Sequence, residues 1–245
     1  GPGANFASNG GGLLCTLLGI GCPAADPSNV EDCNGHGTHV SGTAVGTDYG
    51  IAKSATVHAV RVFSCGGTTA TSTIIAGVDW VTANAILPAV ANMSLGGGAS
   101  ATLDNAVQAM IDAGVTAVVA AGNDDADACS QSPARLPDAI TVGSTTSSDA
   151  RSSFSNFGTC VDIFAPGSSI VSASSSNDTG STTPSGTSMA SPHVAGGVAR
   201  YLMDNGSATP ANAAAALIGT ASTGLISDAG TGSPNRLMYL DPAGF

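Results

Sequence analysis

Apolar positions along this chain fall into short blocks whose period changes several times. Residues 56–63 form a β-branched, apolar run of strand length. Residues 72–83 follow with Ile74, Ile75, Val78 and Val81 at the spacing of one helix face. Residues 89–94 predict a second strand, which runs into Leu95-Gly96-Gly97-Gly98. Leu103, Val107, Met110 and Ile111 then mark another helix, with Gly114 as its stop. Residues 115–121 are almost wholly apolar. A strand apolar on both faces belongs in a parallel sheet, because the crossover helices cover both sides. Short strands are expected at 139–142, 161–164 and 170–173. Two helices at 188–204 and 210–221 come next, and 235–240 is expected to add a final edge strand. The expected fold is three-layer α/β/α around a largely parallel central sheet. It forms a single domain over residues 1–245, opening with an irregular Gly-rich segment at 1–30.

Composition sharpens this reading. A chain of 245 residues, 42% hydrophobic, can bury one substantial core. Only 9% of residues are charged, yet the net charge is −11, with six Lys and Arg in all. No basic stripe exists to neutralise phosphates, so a nucleic-acid partner is excluded. No apolar run reaches the roughly 18–20 residues of a membrane span. Cysteines at 15, 22, 33, 65, 129 and 160 point to disulfides and an oxidising compartment. Sequence leaves their connectivity open.

Three polar segments carry candidate chemistry. Ser188, within Gly186-Thr187-Ser188-Met189-Ala190-Ser191-Pro192-His193, opens an apolar helix, where its hydroxyl and its unused backbone N–H can face one site. His36, within Asn34-Gly35-His36-Gly37-Thr38-His39, has an imidazole suited to act as a base near neutral pH. Asn123, after Ala120-Ala121-Gly122, offers an amide donor. A hydroxyl, a base and an oxyanion donor are the parts acyl transfer needs. Cys33, His36 and His39 can also be read as metal ligands, though no second cluster matches them. His39, His193 and His58 read as packing or hydrogen-bonding residues. Gly-x-Ser-x-Gly is absent, since position 190 is Ala, and this argues against a lipase of the α/β-hydrolase type.

These motifs, with Ser94-Leu95-Gly96-Gly97, resemble the subtilisin-like serine peptidases, from about residue 30 onward. Asp32-Cys33, residues 72–77 and residues 153–158 are similar to the proteinase K branch of that family. The resemblance implies that Ser188 is the nucleophile, His36 its base and Asn123 an oxyanion donor. It implies substrate pairing along Ser94, Leu95 and Gly96. Ala120, Ala121 and Gly122 are expected to line a pocket for large apolar or aromatic residues. It also implies structural calcium on the Pro137 and Ala139 carbonyls with Asp162. Disulfides are implied at Cys33–Cys65 and Cys129–Cys160, with Cys15–Cys22 as the third pair. A secreted, monomeric endopeptidase acting on proteins or peptides is the corresponding expectation.

One component departs from the family. Its members place an Asp, in an Asp-Thr-Gly or Asp-Ser-Gly motif, on a strand before the His. Only Asp26 and Asp32 precede His36 here, and neither sits in such a motif. The expectation is a sheet lacking its first strand, and a chain impaired in turnover unless a separate N-terminal peptide or propeptide supplies that strand. The alternative is an inactive remnant that keeps the fold alone.

Overall fold

The structure, a computed structural model, describes residues 3–7, 26 and 28–241. Strand β1 (Ala4–Asn5) lies within the segment expected to be irregular and pairs in parallel with β2 (Val60–Arg61). Between them in sequence comes helix α1 (His36–Val45). Helix α2 (Thr71–Asn84) leads to β3 (Ala89–Met93), and β4 (Gly97–Gly98) to helix α3 (Ala101–Asp112). Strands β5 (Val115–Ala120), β6 (Gln131–Ser132), β7 (Ile140–Thr145) and β8 (Ile163–Pro166) follow. The small hairpin β9 (Ser172–Ala173) and β10 (Ser181–Thr182) precedes helices α4 (Thr187–Asp204) and α5 (Pro210–Thr220). Strands β11 (Ser222–Thr223) and β12 (Arg236–Leu237) close the chain.

The main sheet has the order β11-β12-β8-β7-β5-β3, parallel from β3 through β12. Helices α2 and α3 cover one face, where Ile74, Val78, Val107 and Met110 meet Met93 and Val119. On the opposite face Ala190, Val194 and Val198 of α4 pack with Val118, Ile140 and Ile163. The chain therefore has the three-layer subtilisin-like architecture. Apolar runs buried on both faces, as β5 and β7 are, require this double cover. Gly114 turns the chain between α3 and β5 at φ +99, a left-handed backbone that glycine adopts without strain.

Two elements differ from their sequence expectation. The run 56–63 is strand only at Val60–Arg61, because one neighbour, β1, holds it; residues 55–59, His58 among them, are exposed. The strand expected at the sheet edge over 235–240 is instead β12, between β8 and β11. Ser222–Thr223 is too short to register as a strand pattern, yet it takes the edge position.

Candidate active site

The start of α4 is held from outside the helix. Asn123 Oδ1 accepts the Thr187 N–H at 2.8 Å and its hydroxyl at 3.0 Å. With its oxygen so engaged, the Asn123 side chain turns its NH2 donor away from Thr187. The next helical N–H, that of Ser188, has no partner among the described residues, as expected in a first turn. Asn123 and Ser188 line one cavity of about 350 Å³ with Leu95, Gly96, Ala120 and Gly122. Asp124 and Gln131 also line it, Gln131 donating to Asp124. Ala121, expected in this wall, does not line the cavity. It is fully buried with Ala128 and Phe164 on the other side of the chain, and its carbonyl accepts from Asn156.

Proline explains how the end of β3 is tied to α4. Pro192 has no N–H, so the Ser188 carbonyl four residues earlier lacks its helical donor. Ser94 Oγ donates to that carbonyl at 2.8 Å, and the Ser188 hydroxyl donates weakly to the Ser94 carbonyl at 3.4 Å. Asn92 Nδ2 donates to Ser94 Oγ at 3.0 Å, and Ser191 Oγ to Asn92 Oδ1 at 2.7 Å. The position of Ser188 is thus fixed from both strand and helix.

Asn123 is placed by a turn only glycine permits. Gly122 has φ +106, and a Cβ there would come within 2.3 Å of Asn156 Nδ2 and Gln131 Oε1. Asn156 clamps the turn. Its Nδ2 donates to Ala121 O at 2.9 Å, and its Oδ1 accepts from Asp124 N at 3.0 Å and Ala126 N at 3.1 Å. Its own N–H donates to Gly122 O at 3.0 Å. Asn156 is fully buried. The sequence offers it only as part of the motif at 153–158, which points to no partner.

His36 begins α1, where Asp32 acts as an external cap. One Asp32 oxygen accepts from Asn34 N and Gly35 N at 3.0 and 2.8 Å, the other from Thr38 N and Oγ1, both at 2.7 Å. Burial alone would raise the Asp32 pKa, but these donors together hold it below the ordinary carboxylate value. Asp26 is likewise committed elsewhere, accepting from Ser28 N and Oγ. Neither aspartate bonds the His36 ring. No hydrogen bond joins that ring to Ser188 either. Burial pushes the His36 imidazole below its usual value, and repulsion from His39 adds to this, while the Asp32 charge pulls the other way.

The ring borders a second cavity, a slot of about 1350 Å³ that also takes in Ser94 and runs between β2 and β3. His39 is buried, with Nε2 donating to Ile170 O at 2.9 Å; His193 Nδ1 lies 2.9 Å from Met189 O. Both are hydrogen-bonding residues of the interior. The metal-ligand reading of Cys33, His36 and His39 is overturned, because Cys33 is bonded to Cys65. Cys129 is bonded to Cys160. Both pairs are the ones the resemblance implies, and Cys15 and Cys22 lie outside the described residues.

Between β7 and β8, Asp162 Oδ2 accepts the Thr141 N–H at 2.8 Å. Burial pushes this carboxyl up to about 6, with the Thr141 hydrogen bond and the Arg236 charge opposing it. A shielded carboxylate is a hard-oxygen donor of the type calcium takes. No cluster of three ligating His, Cys, Asp or Glu side chains occurs among the described residues.

Fold and site place this chain among α/β proteins whose chemistry gathers at the carboxyl ends of a parallel sheet. The chain belongs to the Subtilase family (Peptidase_S8), which matches residues 22–238. It is 56% identical over 223 residues to an extracellular serine proteinase from Thermus sp. (strain Rt41A), covering 91% of this chain and 54% of that protein. It is 58% identical over 212 residues to alkaline serine exoprotease A of Vibrio alginolyticus, covering 86% of this chain and 39% of that one. The chain thus spans about half or less of these relatives. A crystal structure of a cold adapted subtilisin-like serine proteinase superposes with a TM-score of 0.84 at 52% identity, covering 96% of this chain and 81% of the other. Among the described residues no helix is long and apolar enough to cross a membrane.

Proposed function

We propose that this chain is the peptidase domain of a secreted serine endopeptidase that works through an acyl-enzyme. Ser188 attacks the scissile carbonyl, His36 takes and returns the proton, and the Asn123 amide with the Ser188 N–H holds the oxyanion. The observation that carries this reading is the lock of Thr187 on Asn123 Oδ1, which leaves two donors, the Asn123 NH2 and the Ser188 N–H, at one cavity. Extracellular relatives and the disulfides support secretion.

Ser94, Leu95 and Gly96 would pair with the substrate backbone as an added strand. Gly122 and Ala120 leave room for a large apolar side chain before the scissile bond, with broad specificity. The exposed Asp124 adds tolerance for Lys or Arg there. Calcium would be held by Asp162 with the Pro137 and Ala139 carbonyls; its charge offsets a shielded carboxylate and steadies the β7–β8 connection. Among the described residues no carboxylate is hydrogen-bonded to the His36 ring; loss of the orienting Asp in subtilisin costs about 3 × 10⁴ in turnover. The unpaired His36 ring equally favours a second reading, a fold that binds without turnover, and reaction of Ser188 with a fluorophosphonate separates the two.

Asn123→Asp tests the oxyanion role, because it keeps the acceptor that caps Thr187 and replaces the NH2 donor by a carboxylate oxygen that repels the oxyanion. The rate of fluorophosphonate reaction at Ser188 should fall by about 10²–10³. An unchanged rate contradicts the assignment.

A further inference from the structure

Basic side chains are scarce in this chain, six Lys and Arg against seventeen Asp and Glu, and the side chain of one of them, Arg151, is only 10% exposed. A guanidinium presents five N–H donors in one rigid plane, and shielded donors need acceptors. Arg151 finds them on three separate segments. Nη1 donates to Asp125 Oδ1 at 2.6 Å and to the Ser155 carbonyl at 2.5 Å. Nε donates to the Asp228 carbonyl at 3.2 Å, while Nη2 lies 3.9 Å from Asp228 Oδ2. The Arg151 Cζ also stands 5.1 Å from the centroid of the Phe157 ring, a cation–π contact.

Two of these segments build the turn that carries Asn123. Arg151 grips the residues on either side of Asn156, through the Ser155 carbonyl and the Phe157 ring, and Asn156 clamps that turn. From the other side it holds Asp125, two residues after Asn123. Main-chain bonds zip the same strips together, Asp125 N donating to Phe154 O at 2.9 Å and Phe157 N to Ala126 O at 3.0 Å. Asp125 stands at φ +49 and Asp228 at φ +51, left-handed backbone that costs free energy and persists only where the surroundings over-determine it. The guanidinium bonds both. Among the described residues Arg151 makes no hydrogen bond to Asn123 or Ser188, and it does not line their cavity.

We propose that Arg151 is a positioning residue for the oxyanion donor: its guanidinium, bonded at once to Asp125, Ser155 and Asp228, fixes the 122–126 turn and so the place of the Asn123 NH2. This inference rests on the peptidase reading of Asn123 and Ser188. An amide aimed at a developing oxyanion acts only within hydrogen-bond reach, so a small shift of the turn costs rate out of proportion to stability. Asp228 lies outside both strips and anchors the guanidinium from a third side. Its neighbour Ser227 accepts the Arg151 main-chain N–H at 3.1 Å, which holds that anchor in place. A Lys here would bring the charge without the fork, and could not bond three partners in one plane.

The test is a double-mutant cycle on fluorophosphonate labelling of Ser188, with Tm measured alongside. Arg151→Met keeps an apolar stem beside Phe157 and removes every donor; it should slow labelling about 10-fold. In an Asn123→Ala background the same substitution should change the rate less than about twofold, because the donor it positions is gone. Arg151→Lys should restore more of the Tm than of the rate. If Arg151→Met does not fold, Asp125→Ala carries the same cycle, at a side chain that is 55% exposed. A loss of about threefold is expected with Asn123 present and none without it. Independently of catalysis, amide hydrogen exchange at Asp124 and Ala126 should quicken in Arg151→Met relative to Val118 and Val119 of β5. An unchanged labelling rate overturns the proposal, as does an equal loss in both backgrounds or unaltered exchange at Asp124 and Ala126. If Asn123→Ala alone labels at the parent rate, the oxyanion reading fails and takes the effect of Arg151 on rate with it, while quickened exchange still shows the guanidinium holding the turn.

Discussion

Asn156 does more for the site than its distance in sequence suggests. It makes three side-chain hydrogen bonds to the main chain around Asn123, and it is fully buried. Truncation would leave buried donors and acceptors unpaired and free the turn to shift. We expect Asn156→Ala to slow fluorophosphonate reaction by about 10–100-fold, since small misplacements of catalytic groups carry losses of that order. Substrate KM should change less than kcat. Equal loss in both would mark Asn156 as structural only. His36 offers a second test at this scale. Its imidazole titrates below the ordinary 6.5, so the neutral base persists into mildly acidic solution. The rate of Ser188 labelling against pH should therefore fall on the acid side with a midpoint below 6.5, and a midpoint above it contradicts the burial argument. Ser188, His36 and Asn123 could be proposed from sequence because each sits in a short motif beside a predicted element boundary. Asn156 was not, because a clamp is recognisable only once its partners, here Ala121, Asp124 and Ala126, are brought to it by folding.

Elements carry the calcium proposal. Asp162 sits just before β8 and is tied to β7 through Thr141. In the folded chain its carboxyl holds a proton up to about 6, against 3.8 for an ordinary Asp. The folded state therefore binds more protons between these values, and stability falls as pH rises through that window. Above it the ionised group is a burden that a bound cation relieves. Without calcium at pH 8, Asp162→Asn should be no less stable than the parent chain. With calcium the parent should gain Tm and the variant should not. A calcium gain in both would move the site elsewhere. Strand and helix periods were readable for the covered core, where packing imposes them. They misjudged 56–63, whose apolar run expects two sheet neighbours and finds one. They also missed Ser222–Thr223, where backbone pairing with β12 rather than side-chain pattern makes the strand.

At the scale of the whole molecule, Ser94 follows the carboxyl end of β3 and Asn123 that of β5, and both are tied to the start of α4 at Ser188 and Thr187. Asn34, by donating to Cys65 O at 3.1 Å, and the Cys33–Cys65 bond tie the His36 loop to the far side of β2. The network from Ser191 through Asn92 and Ser94 ties β3 to α4. His36 borders the slot between β2 and β3, and among the described residues no carboxylate is hydrogen-bonded to its ring. The most direct measurement is active-site titration with a fluorophosphonate, followed by peptide mapping of the modified residue. The account predicts slow but stoichiometric modification at Ser188 alone, abolished by Ser188→Ala and strongly slowed by His36→Ala. Modification elsewhere, or a chain whose Ser188 reacts no faster than its other serines, would contradict it.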